Sequence, residues 1–278
     1  MTSPVAPGSL SAKRTIVFLG GSGGVGLAAL TRALGAGHNC VALCRTPAKL
    51  TDRFAPAGPP ANLRVEPGNA HDAAAIARCL VWARDGPGGP VLADTVVSSI
   101  GGVFQLARRT IDDPHVCEQG ARALLDALAL VRAQFDLAAS PSPSPPASEA
   151  AAAAAAWRPR IVAVSTCGIS ESGRDFPLAE TPVYHLLLRV PHADKKVMEE
   201  VLVGGAAAGA YAYTLVRPSL LTDDAGKPER RVRAGAGAAP AIGYGISRDD
   251  AGRWIYENLL ENAGERAKYE NQVVTITW

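Results

Sequence analysis

From Thr15 onward the chain alternates short, almost wholly apolar runs with longer stretches in which apolar residues recur every three or four positions. Runs of the first kind read as strands buried on both faces, and stretches of the second kind as helices packed along one side. The strand runs are Ile16-Val17-Phe18-Leu19, Cys40-Val41-Ala42-Leu43-Cys44, Asn62-Leu63-Arg64-Val65-Glu66, Asp94-Thr95-Val96-Val97-Ser98-Ser99-Ile100 closing in Gly101-Gly102, Arg160-Ile161-Val162-Ala163-Val164-Ser165-Thr166-Cys167-Gly168, Tyr211-Ala212-Tyr213-Thr214-Leu215-Val216-Arg217 and Val273-Val274-Thr275-Ile276. Helices are predicted after the glycines ending at Gly26, after Asp72, over Val116 to Leu137, over His192 to Leu202, and from Ser247 through Leu260. Asp72 and Ser247 stand where a short oxygen-bearing side chain caps the first free N–H groups of a helix. Leu124, Leu125, Leu128 and Val131 make a core-packing stripe, and Val197, Met198, Val201 and Leu202 are read as the inward positions of the following helix. Strands and helices that alternate in this way predict an α/β fold, doubly wound around a mostly parallel sheet.

Two stretches break the pattern. Residues 139–157 run through Ser140-Pro141-Ser142-Pro143-Ser144-Pro145-Pro146 into alanines, a low-complexity composition read as a surface insertion, because strand patterning resumes directly beyond it. The Gly- and Ala-rich stretch from Leu221 to Pro240 is read as a small C-terminal substrate-binding portion. Residues 1–13 read as a disordered tail, and residues 14–278 as a single domain. Pro182 to Val190, apolar, bearing Tyr184 and stopped by Pro191, reads as a wall or lid.

Composition narrows the classes. The 278 residues carry a net charge of +2 with both signs interspersed, which provides no basic stripe for nucleic acid and no polybasic membrane patch. No apolar run has the length of a membrane span. Five scattered cysteines, an odd number, do not make a disulfide framework and point to a reducing compartment, read as the cytoplasm. The Ser- and Ala-rich N-terminus is also compatible with a mitochondrial address. His38, Cys40 and Cys44 are not read as metal ligands, because Cys40, Ala42 and Cys44 share one face of a strand.

The chemistry concentrates at the ends of the predicted strands. Gly20-Gly21-Ser22-Gly23-Gly24-Val25-Gly26 follows the first strand and opens the first helix. Glycines there let the chain turn, let backbone approach a pyrophosphate, and let the helix lie close to the sheet, while the free N–H groups at the helix start face the anion. Gly20, Ser22, Gly23, Gly24, Val25 and Gly26 are accordingly cofactor candidates. The second strand ends in Arg45, and no acidic residue occurs before Asp52. An acidic residue at that place would accept from a ribose 2′-OH, whereas a guanidinium suits a 2′-phosphate, so the expectation is NADP(H) in preference to NAD(H). Asn69 and Ala70 are placed near the adenine, and Ser99-Ile100-Gly101 forms a second glycine turn against the cofactor. Ser165 and Thr166 end the fifth strand toward the same crevice, and Lys195 or Lys196 is a candidate for the nicotinamide ribose.

As a set, Gly20 to Gly26, Cys44-Arg45-Thr46-Pro47, Val164-Ser165-Thr166, Lys195 with Glu199, Tyr213 to Pro218 and Ile246-Ser247-Arg248-Asp249-Asp250 resemble the atypical short-chain dehydrogenase/reductase family, and within it the NmrA-like and biliverdin-reductase-B-like NAD(P)-binding proteins. The resemblance runs from about residue 14 to the end. It implies a Rossmann-type fold, a dinucleotide cofactor, and a nicotinamide near Ser165 and the Pro218–Leu220 turn. The chain departs from that family's Tyr-x-x-x-Lys pair: Pro191 and His192 stand four positions before Lys195 and Lys196. Tyr184, His192 and Ser165 are then the alternatives for supplying a proton, with Lys195 beside them. The leading expectation is an NADPH-dependent reductase that transfers hydride to a small carbonyl or conjugated substrate, as a monomer or homodimer. The alternatives are an NADP(H)-sensing regulator with a protein partner, and an isomerase or epimerase using the same cofactor.

Overall fold

The computed structural model describes residues 13–82, 90–102, 104–105, 110–137, 157–171, 173–181, 188–227 and 229–278. Among them the seven expected strands form: β1 (Thr15–Leu19), β2 (Asn39–Cys44), β3 (Leu63–Pro67), β4 (Thr95–Ser98), β5 (Arg160–Val164), β6 (Ala212–Pro218) and, last in the chain, β8 (Gln272–Thr277). An eighth, β7 (Arg233–Ala236), falls inside the Gly- and Ala-rich stretch, where no strand is predicted. Across the described sheet the order is β7-β8-β6-β5-β4-β1-β2-β3. All neighbours are parallel except β7, which runs antiparallel to β8. The doubly wound expectation therefore holds, and the correction is that part of the presumed excursion extends the main sheet. Arg-Ala-Gly-Ala has little strand propensity of its own; pairing with β8 makes it a strand.

Alternation along the strands divides two cores. Val17, Leu19, Val96, Ile161, Ala163 and Leu215 point to one face. There they meet α2 (Ala73–Cys79), α3 (Val116–Gln134) and α4 (Arg189–Ala206) through Ile76, Leu124, Leu128, Val131, Met198 and Leu202. Ile16, Phe18, Val97, Val162, Val164 and Val216 point to the other face. That face is covered by α1 (Gly24–Gly35), α5 (Arg248–Ile255) and the π-helical turn Tyr256–Glu261 that continues it. Cys40, Ala42 and Cys44 lie together in this second core.

The helix boundaries follow local chemistry. Asp72 Oδ1 accepts from the N–H groups of Ala74 and Ala75, and Ser247 Oγ accepts from Asp250 N–H. Gly252 lets α5 approach α1 closely, since a Cβ there would lie 2.6 Å from the Val25 carbonyl oxygen. Pro191, expected to stop the apolar run, instead sits in the first turn of α4, which already begins at Arg189, where a missing N–H costs no hydrogen bond. The inward face of α4 is Asp194, Met198, Glu199 and Leu202, with Val197 and Val201 only partly covered. Two carboxylates replace the expected valines because each has a specific partner inside, described below. The tail, most of the 139–157 insertion and Tyr184 within 182–187 lie outside the described residues. Among the described residues no helix is long and apolar enough to cross a membrane.

Candidate functional site

The strand order reverses between β1 and β4, and a doubly wound sheet opens its ligand crevice at such a point, beyond the carboxyl ends of the strands. The glycine loop leaves β1 there. Gly20 has φ +86, and a Cβ on it would lie 2.8 Å from the Ser99 carbonyl oxygen. Gly26, one turn into the loop-helix junction, is buried so tightly that a Cβ would collide with Ser99 Oγ and lie 2.5 Å from the Gly20 carbonyl. Gly23 is open to space, with nothing within 4 Å of a Cβ, and Gly24 has φ +53 at the start of α1. Ser22 is half-buried beside them, while Val25 turns its side chain into the second core and leaves only backbone to the crevice.

Ser99 links the two strands at the switch point. Its N–H donates to Leu19 O at 2.8 Å and its hydroxyl to Gly20 O at 3.1 Å. The Ile100 side chain is directed at α3, close to Gly120, and its carbonyl faces Lys195. Gly101 is exposed. On the far side of β1, Arg45 emerges exposed from the end of β2, and no hydrogen bond or ion pair engages its guanidinium among the described residues. Asn69 and Ala70 follow β3; Asn69 Oδ1 accepts from His71 N–H at 3.2 Å, and Ala70 packs against the first core.

At the ends of β5 and β6 the residues separate by role. Ser165 is 4% exposed, and its buried hydroxyl has no partner among the described residues. Thr166, expected to share its direction, instead donates to its neighbour's carbonyl, Cys167 O, at 3.0 Å. Consecutive residues of an extended chain face opposite ways, so only one of the pair can aim at a given crevice. Lys195 Nζ donates to Ile100 O at 2.8 Å and Val164 O at 2.6 Å, which places its ammonium at the ends of β4 and β5 and leaves one of its three protons uncommitted by these bonds. His192 lies in the first turns of α4 and lines a recess with Gly168, Ile169 and Lys196. Pro218 is buried and receives Cys167 N–H on its carbonyl at 3.2 Å, while Leu220 is 40% exposed.

Two buried carboxylates near this end, Asp194 and Asp175, are not singled out by the sequence, whereas Glu199 and Arg217 enter there only as part of the family's motif set. Asp194 is buried and caps α3 from outside: its carboxylate accepts from Cys117 N–H at 2.9 Å and Glu118 N–H at 2.8 Å. Glu199 and Asp175 hold Arg217. Glu199 takes bonds of 2.9 and 2.5 Å from its guanidinium, and Asp175 one of 3.4 Å. Burial pushes the Asp175 carboxyl above its ordinary range, against the Gly168 N–H bond and the Arg217 charge. Burial acts to lower Arg217, but the bonds and charge of Glu199 raise it on balance. Asp175, Glu199 and Arg217 form one wall of a cavity of about 1040 Å³ between α4, β8 and residues 169–171 and 173–175.

A profile of proteins described as NAD(P)H-binding matches residues 20–262. The chain belongs to that family. Among curated members of similar sequence, the reductase pytE of Aspergillus terreus is 37% identical over 284 residues, covering 96% of this chain and 99% of its own. The oxidase pynE of Aspergillus niger is 34% identical over 290 residues, covering 95% and 99%. Among solved structures, a short-chain dehydrogenase/reductase of Veillonella parvula in complex with NADP superposes with a TM-score of 0.64 at 14% identity, over 95% of this chain and 94% of that one. ChuY, an anaerobilin reductase of Escherichia coli, gives 0.53 at 20% identity, over 94% and 96%. These two structures establish likeness of fold. Family, fold and sequence relatives together make the chain an oxidoreductase that uses a nicotinamide dinucleotide. The NAD(P)H-binding cleft fits that group: Gly20 and Gly26 leave no room for side chains beneath the loop, and Ser165 holds a buried hydroxyl without a partner among the described residues.

Proposed function

We propose that the protein is an NADPH-dependent reductase acting on a small carbonyl or conjugated substrate. The observation that carries the cofactor choice is Arg45, exposed and unengaged among the described residues at the end of β2, with no carboxylate in the sequence between the glycine loop and Asp52. A planar guanidinium is suited to a 2′-phosphate and makes poor use of a bare diol. In this reading Gly20, Ser22, Gly23, Gly24, Val25 and Gly26 hold the pyrophosphate largely through backbone. Asn69 and Ala70 border the adenine, and Ser99, Ile100 and Gly101 line the middle of the dinucleotide. Lys195, Pro218 and Leu220 border the nicotinamide end.

The cofactor, when bound, supplies the hydride. The chain supplies orientation and a proton for the substrate oxygen. Ser165 follows Val164, whose carbonyl takes Lys195, and His192 precedes Lys195 by three positions on α4; Tyr184 belongs to the 182–187 segment outside the described residues. Ser165 is the group this reading favours, because a buried hydroxyl without a partner among the described residues is ready to bond a substrate oxygen. Opposed names among the relatives, one a reductase and one an oxidase, fit a hydride transfer whose direction depends on the substrate. The same reading makes residues 14–278 one NAD(P)-binding domain with a surface insertion at 139–157, working in the cytoplasm as a monomer or homodimer.

Calorimetric titration of the wild type and Arg45→Ala with NADPH and NADH tests it. The wild type is expected to bind NADPH more tightly, and the variant to lose about tenfold or more for NADPH with little change for NADH. Equal loss for both dinucleotides would remove the case for NADPH.

A further inference from the structure

The glycine loop has a neighbour that loop sequence alone does not reveal. Arg248 opens α5 on the same face of the sheet as α1, and its Cδ lies 3.2 Å from where a Cβ on Gly24 would be. The aliphatic stem of the arginine thus lies across the loop at the residue where α1 begins. Among the described residues its guanidinium is held at the surface: Nη1 donates to Asp223 Oδ1 at 2.7 Å and, at 3.4 Å, to Leu221 O. The Asp223 side chain is 89% exposed.

The two carboxylates that follow Arg248 on α5 are engaged elsewhere. Asp249 is held by both terminal nitrogens of Arg32 at 2.9 Å. Asp250 takes bonds from Ser247, Arg253, the Lys227 N–H and the Trp278 indole. Arg248 therefore has a weak, solvent-screened partner on one side and an anion-binding loop on the other. A pair exposed to that degree contributes little, so exchanging it for a phosphate costs little. Arginine also offers a phosphate two donors at once.

We propose that Arg248 is a ligand of the dinucleotide's pyrophosphate, released by Asp223 when the cofactor enters and closing over the loop at Gly24. This assignment rests on the dinucleotide site of the proposed function and concerns the part of the cofactor common to NADPH and NADH. It therefore separates from the role of Arg45.

The test is calorimetric titration of the full chain with NADPH and with NADH, in wild type, Arg248→Gln, Arg248→Lys and Asp223→Asn. Arg248→Gln is expected to weaken both dinucleotides by a similar factor, on the order of tenfold. Arg248→Lys recovers part of the loss, and Asp223→Asn, which frees the guanidinium, tightens both. Inorganic pyrophosphate is expected to compete with NADPH less well in Arg248→Gln than in wild type. Melting curves without cofactor separate a folding defect from a binding defect, and Asp223→Asn keeps the test independent of one, because damage to the fold would not tighten binding. Affinities in Arg248→Gln within about twofold of wild type, loss confined to NADPH, or an Asp223→Asn protein no tighter than wild type would each overturn the assignment. A wild type that binds neither dinucleotide would overturn the proposed function and this assignment with it, an outcome distinct from all of these.

Discussion

Lys195 donates to the carbonyl of Val164 at 2.6 Å, joining a helix of one layer to the last residue of a central strand. With its second bond, to Ile100 O, the same ammonium ties together the ends of the neighbouring strands β4 and β5, at the carboxyl edge of the sheet where the candidate site opens. Lysine here serves architecture as well as any contact with cofactor. Lys195→Met is expected to lower unfolding stability by about 2 kcal/mol, since two carbonyls lose a charged donor. Urea denaturation measures that loss, and NADPH titration of the same variant is expected to show weaker binding.

Ser165 behaves in the opposite way. Its hydroxyl is buried without a partner among the described residues, so Ser165→Ala removes an unsatisfied group and leaves stability within about 0.5 kcal/mol of wild type, or slightly above it. Turnover is expected to fall by about 100-fold if the hydroxyl delivers or relays the proton. Parallel measurements of denaturation and of NADPH oxidation with a carbonyl acceptor check the pair of effects. A loss of stability that accounts for the loss of activity would count against the catalytic role.

Acid sensitivity has a structural source at Asp250. Burial acts to raise its pKa, but bonds from the Lys227 N–H, Arg253, Ser247 and the Trp278 indole outweigh it and hold the carboxyl below its ordinary 3.8. A carboxylate depressed in the folded state contributes stability above the unfolded value, and that contribution is lost as pH falls through the folded value. Asp250→Asn is therefore expected to melt at a clearly lower temperature than wild type at pH 7. The gap should narrow below pH 3.8 as the wild-type carboxyl protonates. Scanning calorimetry at several pH values measures it.

The cysteines should be silent until the chain opens. All five are free and buried, and burial pushes Cys40 and Cys79 up to about 12 and Cys117 to about 11, with Cys44 and Cys167 also raised. Thiolate, not thiol, is the reactive form. A chromogenic disulfide reagent at pH 8 is expected to titrate almost none of them in the native protein and all five in guanidinium chloride.

The parallel strands were readable from the sequence because both of their faces are covered, so Ile16 to Leu19 and Ile161 to Val164 needed no polar positions. The cap residues Asp72 and Ser247 were equally legible, being local features. The strand Arg233–Ala236 was not, since its conformation comes from β8 and not from its own residues. On α4, helical periodicity assigns carboxylates to solvent. Asp194 and Glu199 turn inward because Cys117, 77 residues away, and Arg217, on another strand, receive them. Likewise Arg248 meets Gly24 only once two helices far apart in sequence are packed together.

The bracing of the glycine loop by Ser99 bears on how quickly the dinucleotide is captured and released. With Gly20 O bonded to the Ser99 hydroxyl and no room for a side chain at Gly26, contacts from the protein itself brace the backbone course of the loop. Association then needs no ordering of backbone and proceeds at the pace of encounter with an open cleft. Substitutions around the rim act chiefly on residence time. A stopped-flow trace would show nearly constant association rates across such variants, with the differences in affinity lying in how long the cofactor stays.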